Sequence, residues 1–215
     1  MNGRVISVSQ QKGGSGKTTL AVHLAVALAR KGDYPVALVD VDPQGSLGTW
    51  FEAREEAFGE AGTGLSFRTS SGWGARREAR SLSRDHGLVI IDTPPKTDSD
   101  VRPAIEAADL VIIPVQPTQI DLWATAQTVE IARREGTDAL LVLNRVPPRA
   151  ALTLDVVSEI ESHGYPIAAA RLGNRTGFAA SMGEGRTVLE TDPRGKGAEE
   201  VRQLAAEIAA VLAGI

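Results

Sequence analysis

Residues 10–19 read Gln10-Gln11-Lys12-Gly13-Gly14-Ser15-Gly16-Lys17-Thr18-Thr19, so two lysines bracket a run of glycines and two threonines follow. Glycines at 13, 14 and 16 let the backbone turn its N–H groups inward around an anion, and a helix starting directly behind them adds the positive end of its dipole. Lys17 then supplies a point charge to the β- and γ-phosphates of a bound polyphosphate, while the Thr18 hydroxyl can ligate Mg2+. A glycine-rich turn that merely contains lysines is the plain alternative. With glycine at about 7% and lysine at about 6% of residues, this spacing arises by chance with a probability on the order of 10⁻⁵ to 10⁻⁴, so chance is not a competitor. The loop has Gln11 where the common phosphate-loop pattern has glycine, and it adds Lys12. One lysine suffices to reach the phosphates from within a subunit, so the second cation points to a second electrostatic task.

Two apolar runs end in carboxylates. In Val36-Ala37-Leu38-Val39-Asp40-Val41-Asp42-Pro43-Gln44, strand geometry turns Asp40 and Asp42 to the same side, so both can face a ligand at the carboxyl edge of a sheet. Asp and Pro also form turns at strand ends, which is the simpler reading of Asp42. In Leu88-Val89-Ile90-Ile91-Asp92-Thr93-Pro94-Pro95 the strand delivers Asp92 as a ligand for Mg2+, and the prolines stiffen an exit that can sense the γ-phosphate. No internal arginine finger is evident, so hydrolysis is expected to be slow until a partner protein completes the site.

These residues require a scaffold of alternating elements. Runs at 4–9, 36–40, 88–92, 110–115, 140–144 and 167–171 read as strands, apolar throughout as suits a parallel sheet covered on both faces. Helical periodicity marks 19–31, 119–135, 151–163 and 198–212, while 59–64, 147–149 and 183–197 read as loops. At 215 residues and 42% hydrophobic content the chain suits a single domain spanning 1–215. The absence of cysteine removes disulfides, thiolate metal sites and cysteine nucleophiles. No basic leader with an apolar run and no membrane-length segment is evident, which points to a cytoplasmic protein. The 198–212 helix could lie on a membrane, but its polar face is mostly acidic, favouring a docked core helix.

With Lys12 at the head of the loop, the sequence resembles the deviant Walker A family of ParA and MinD ATPases, nearest to short plasmid-type ParA proteins. The resemblance implies an α/β P-loop NTPase with a mostly parallel twisted sheet and helices on both faces. It implies ATP and Mg2+ as cofactors, held by Lys12, Gly13, Gly14, Ser15, Gly16, Lys17, Thr18 and Thr19, with Lys12 crossing to the partner's nucleotide in an ATP-state homodimer. It implies that Asp42 orients the attacking water, making Lys12, Lys17 and Asp42 the catalytic set, and that Asp40 lies near the metal with Thr18 and Asp92. Ile120-Asp121-Leu122-Trp123-Ala124 looks like the dimer-facing helix, in which Trp123 is expected to pack. Leu141-Val142-Leu143-Asn144-Arg145 resembles the strand whose Asn recognises adenine, which brings Asn144 and Arg145 into the nucleotide site; a polar strand end is the alternative for Asn144.

The same resemblance implies non-specific DNA binding, a ParB-like or cargo-bound adaptor, nucleoid association and no membrane partner. The cargo would be plasmid or chromosomal DNA, or else a protein assembly such as a chemoreceptor cluster or carboxysome. A metabolic P-loop kinase or ligase is the rival of another class. MinD-like membrane cycling wants a basic tail, iron-sulfur relatives want cysteine, and operator binding wants an added helix-turn-helix, none of which the sequence offers. A net charge of −4 argues against a strongly basic nucleic-acid binder, so any DNA contact must be local. One candidate is Arg76, Arg80 and Arg84, which share a stripe if 74–84 is helical; a solvated surface face is the alternative reading. A second surrounds Arg175 and Arg186, diluted by Glu184, Glu190 and Asp192.

Overall fold

The computed structural model describes residues 3–32, 34–95, 98–148 and 151–215. Six strands pair, all in parallel: β1 (Arg4–Val8), β2 (Val36–Asp40), β3 (Ser66–Thr69), β4 (Leu88–Asp92), β5 (Leu110–Val115) and β6 (Asp138–Leu143), in the order β3-β2-β4-β1-β5-β6. The connections are helical: α1 (Lys17–Lys31), α2 (Ser46–Phe58), α3 (Ala75–Leu82), α4 (Asp98–Glu106), α5 (Gln119–Glu135) and α6 (Ala151–Ser162), followed by α7 (Thr176–Gly183), α8 (Val188–Thr191) and α9 (Lys196–Gly214).

Alternation along each strand splits the core into two layers. Ile6, Val8, Leu38, Ile90, Ile112 and Val142 face α1, α2 and the α7–α9 group. Val111, Ile113, Leu141 and Leu143 face α4, α5 and α6, while Val39, Val89 and Ile91 pack against α3. Since the central strands are buried on both sides, each face needs a helical cover, and the expected α/β sandwich results. The chain leaves β1 for one edge and β5 for the other, so β1 marks a topological switch point whose carboxyl-side crevice collects the loops after β1, β2, β4, β5 and β6.

Several expectations need correction. The 167–171 run is not a strand; it lies beside β6 with one bridge, Leu141 to Ile167, and an Ala168 N–H bond to the Leu141 carbonyl. The N–H groups of Ala169 and Ala170 turn away to the Glu207 carboxylate on α9, at 2.8 and 3.0 Å, so the ladder breaks there and resumes only at Leu172, whose N–H bonds to the Leu143 carbonyl at 2.9 Å. β3 went unread because it is a short, polar edge strand without an apolar run. The 183–197 stretch contains α8, started by a capping box in which Thr187 and Glu190 satisfy each other's orphan groups. Of the loop at 147–149, residue 149 lies outside the described residues.

Candidate nucleotide site

The loop between β1 and α1 is held open from outside. Gln116, after β5, donates its amide N–H to the Gly14 carbonyl at 2.9 Å, and Asn144, after β6, donates to the Ser15 carbonyl at 2.8 Å. With these carbonyls drawn outward, the intervening N–H groups are left to the concave side. Gly16 takes a φ of +91°, and a Cβ there would stand 2.4 Å from Asn144 Nδ2, so glycine is required by conformation and by contact. No side chain caps the first turn of α1, whose free donors face the loop. The Ser15 hydroxyl is buried without a partner.

Lys17 begins α1 almost completely buried, its ammonium 3.4 Å from the Lys12 carbonyl. Burial makes it less basic, with Asp92 and Asp42 pulling the other way. Thr18 donates to Asp92 Oδ2 at 2.6 Å, and Asp92 Oδ1 is buried with no partner. Burial pushes the Asp92 carboxyl up to about 7, with the Thr18 bond opposing. A lysine and a carboxylate each pushed toward neutrality, with orphaned acceptor and donor atoms between them, fit a polyphosphate accompanied by a hard divalent cation. Mg2+ is ordinarily held by one or two protein oxygens plus phosphate, and Thr18 with Asp92 supplies those two.

Asp40 and Asp42 both reach this edge, in different roles. Asp40 is buried, its carboxyl raised by burial, and it accepts the N–H groups of Asp42 and Gly48 at 2.9 and 3.1 Å. It therefore shapes the turn that carries Asp42. Asp42 is half-buried, and its Oδ1 accepts the Gln44 N–H at 3.0 Å. Thr93 donates to the Val8 carbonyl at 3.0 Å, tying the β4 exit to β1, and a Cβ at Gly13 would meet Pro95 at 3.7 Å, so the segment expected to sense the γ-phosphate lies beside the loop.

Lys12 lies at the rim with its side chain one-third exposed, and its ammonium sits 2.5 Å from Asp121 Oδ2. Asp121 is fully buried in the first turn of α5, where the capping Thr118 also donates to it, and its Oδ1 has no partner. The sequence signal for such a role is slight, a carboxylate placed three residues into a threonine-capped helix. Turning Asp121 inward turns Ile120 and Trp123 outward, to 62% and 67% exposure. The expectation that Trp123 packs is thus wrong for the isolated chain.

The Asn144 amide, expected at adenine, is engaged by the loop on one side and by the Arg145 N–H at 2.9 Å on the other. Arg145 takes a left-handed φ of +52°, a strained choice for a non-glycine residue. Both border a cavity of about 320 Å³, together with Thr19, Asn174, Arg175 and Phe178, on the α1 side of the loop.

The two basic regions differ. Arg76 pairs with Glu106, Arg80 is exposed, and α3 ends at Leu82, so Arg84 stands in the turn beyond the helix rather than on the expected stripe. Arg175 is held in a two-pronged pair by Glu200, at 3.0 and 2.5 Å, and Arg186 lies over the Phe58 ring at 5.0 Å.

Comparison with known proteins bears on the family and the fold. Residues 6–188 match the family described as the CobQ/CobB/MinD/ParA nucleotide binding domain. The chain is 31% identical over 210 residues to the Maintenance of carboxysome distribution protein A of Halothiobacillus neapolitanus, covering 94% of this chain and 95% of that protein. It is 30% identical over 239 residues to the chromosome-partitioning ATPase Soj of Thermus thermophilus, covering 96% of each. The fold matches the cell division ATPase MinD of Pyrococcus furiosus with a TM-score of 0.82 at 22% identity, over 97% of this chain and 99% of that one. The chain therefore belongs to the CobQ/CobB/MinD/ParA nucleotide-binding family, as an ATPase of the kind that partitions or positions a cargo.

Proposed function

We propose that this protein is a nucleotide-driven switch that binds ATP with Mg2+, closes into a homodimer, holds DNA non-specifically in that state, and is reset when a cargo-bound adaptor stimulates hydrolysis. The observation that carries this reading is the Lys12–Asp121 pair at the mouth of the phosphate loop. An ammonium parked on a buried carboxylate, beside an exposed Ile120–Trp123 face, is a cation in reserve. A second protomer covering that apolar face would bring its own triphosphate within reach, and Lys12 would exchange Asp121 for phosphate.

Within one subunit, Lys17 and the N–H groups of the loop bind and orient the triphosphate. Thr18 and Asp92 would hold Mg2+, which supplies charge neutralisation on the phosphate oxygens. Asp42 positions a water in line with the terminal phosphorus; the bond from the water oxygen forms as the bond to the bridging oxygen breaks, and ADP and phosphate result. The hydrogen bonds of Asp40 support a role in fixing the Asp42 turn rather than in binding the metal directly. The cavity beside Asn144 and Arg145 would take the nucleoside end. The protein would act in the cytoplasm on the nucleoid, without a membrane partner.

The test is the mass of the protein in solution, by light scattering, with Mg-ATP and with Mg-ADP. A dimer only with ATP, lost in Lys12→Ala, is expected; a monomer under both conditions would overturn the reading. A protein assembly as cargo, rather than a replicon, is favoured by the similarity to the carboxysome distribution protein. Either cargo predicts that ATP turnover responds to duplex DNA with an adaptor, whereas a metabolic kinase or ligase would ignore both.

A further inference from the structure

Between β3 and α3 a tight turn, Gly72–Gly74, pushes Trp73 into solvent at 84% exposure. Behind it lies a groove of about 660 Å³ lined by Trp73, Arg76, Arg77, Arg80, Ser81 and Arg84. Arg76 is paired with Glu106, but Arg77, Arg80 and Arg84 have no ion-pair partner among the described residues. Clustered guanidinium groups repel one another, and a tryptophan left in water forgoes the burial of a large apolar surface. An anion that also presents a flat or apolar surface would relieve both.

We propose that this groove is the docking site for the phosphodiester backbone of DNA, with Trp73 lying against the sugars or bases. The proposal rests on the DNA-binding part of the function proposed above and assigns its location. An acidic protein segment fits less well, because protein interfaces need an apolar centre and Trp73 is the one apolar side chain among six that line the groove. Nucleic-acid interfaces are polar and strongly positive, as this one is. With the chain at −4 overall, contact is confined to the face where positive charge is concentrated. The other basic region differs: Arg175 is paired with Glu200 and Arg202 is bonded to the Pro193 carbonyl, while Arg186, which has no ion-pair partner among the described residues, lies over the Phe58 ring rather than beside an exposed tryptophan.

The groove is also joined to the nucleotide edge. Ser70, three residues before Trp73, donates its N–H to the Asp40 carbonyl at 2.9 Å, and the Asp40 side chain holds the turn that carries Asp42. DNA seated at Trp73 and nucleotide seated at Asp42 therefore act on the two sides of one strand end, and each is expected to alter the other's affinity.

The experiment uses the full chain, and the part of the emission change that is lost in Trp73→Ala is assigned to Trp73, Trp50 being buried. Titration with random-sequence duplex DNA under Mg-ATP is expected to change Trp73 emission. The triple variant R77E/R80E/R84E should lose at least about a hundredfold in DNA affinity at moderate salt. Its log-log salt slope should fall by about 0.9 for each arginine that meets a phosphate. Trp73→Ala should weaken DNA binding several-fold, and both variants should keep ATP-dependent dimerisation and basal turnover. If the triple variant binds DNA like the parent, the groove assignment falls while the general reading stands. If the parent dimerises with ATP and binds no DNA, the DNA-binding part of that reading falls. A polyglutamate peptide that binds as tightly, with the same Trp73 response, would make the groove a site for acidic protein and overturn the assignment.

Discussion

Lys17 and Asp92 lie at the sheet edge in surroundings that push both toward their neutral forms, whereas Arg77, Arg80 and Arg84, on and just beyond α3, stand exposed without acidic partners among the described residues. The first pair is charge under desolvation, waiting for a ligand to compensate it; the second set is charge at the surface, screened by salt and individually weak. Position in the fold accounts for the contrast. β1 and β4 are central strands, so anything at their ends is walled by neighbouring loops, while α3 packs on β2 and β4 with its other face open to solvent. Chemistry is concentrated where the sheet can bury it, and long-range attraction is left to the outer helix.

Substitution of Lys17 should test this contrast most severely. Lys17→Ala is expected to weaken Mg-ATP binding by at least about a hundredfold, in line with roughly 3 kcal/mol for a buried charged hydrogen bond, with little dependence on salt when measured by calorimetry. A loss confined to low salt would place Lys17 with the surface arginines instead. Next, Asp42→Ala should lower turnover on the order of 10²-fold while preserving nucleotide binding and ATP-dependent dimerisation. If dimerisation is lost as well, Asp42 is shaping the edge rather than placing water.

Removing Lys12 tests whether the rim behaves as buried or exposed. Lys12→Ala leaves Asp121 as a buried carboxylate without its cation, so chemical denaturation should show a loss of about 1–3 kcal/mol. The double variant with Asp121→Asn should recover much of that stability without recovering dimerisation, separating the structural cost from the role toward the partner.

His23 offers a smaller effect that vanishes at neutral pH. It is buried on α1, bonded to the Thr19 carbonyl and accepting the Val188 N–H, and burial lowers its pKa to about 4. The unfolded chain takes up a proton near 6.5 and the folded chain does not, so this contribution is complete above 6.5 and is lost as pH falls toward 4. Compared with His23→Gln, the parent should lose on the order of 2 kcal/mol across that window. Equal pH profiles would show that His23 is not held neutral. The smallest effect is expected at the surface: Glu200→Gln frees Arg175 and should raise DNA affinity by less than about threefold. A larger gain would move the DNA site from α3 to the C-terminal region.

The phosphate loop was legible because its chemistry demands contiguous residues, and the strands ending in Asp40 and Asp92 were legible because central parallel strands are apolar throughout. What escaped was set by distant partners. Nothing local to Asn144 tells that its amide bonds to Ser15, 129 residues away, or that Asp121 bonds to Lys12 across 109. The 167–171 run has the composition of a strand, yet Glu207 on α9 captures two of its N–H groups. Of the two arginine-rich regions the C-terminal one is diluted by acidic residues along the sequence, but its pairing of Arg175 with Glu200 is visible only in the fold. Trp123 was expected to pack, and its exposure in the single chain follows from the way Asp121 turns the helix.

The bonds from Gln116 and Asn144 to the carbonyls of Gly14 and Ser15 belong to the folded chain itself. The entropy of ordering the loop is therefore spent during folding, and arrival of a nucleotide need not freeze a flexible segment. A receptor prepared in this way accepts any triphosphate tail with similar ease, so discrimination between one nucleotide and another must be made farther along the ligand, where the base enters.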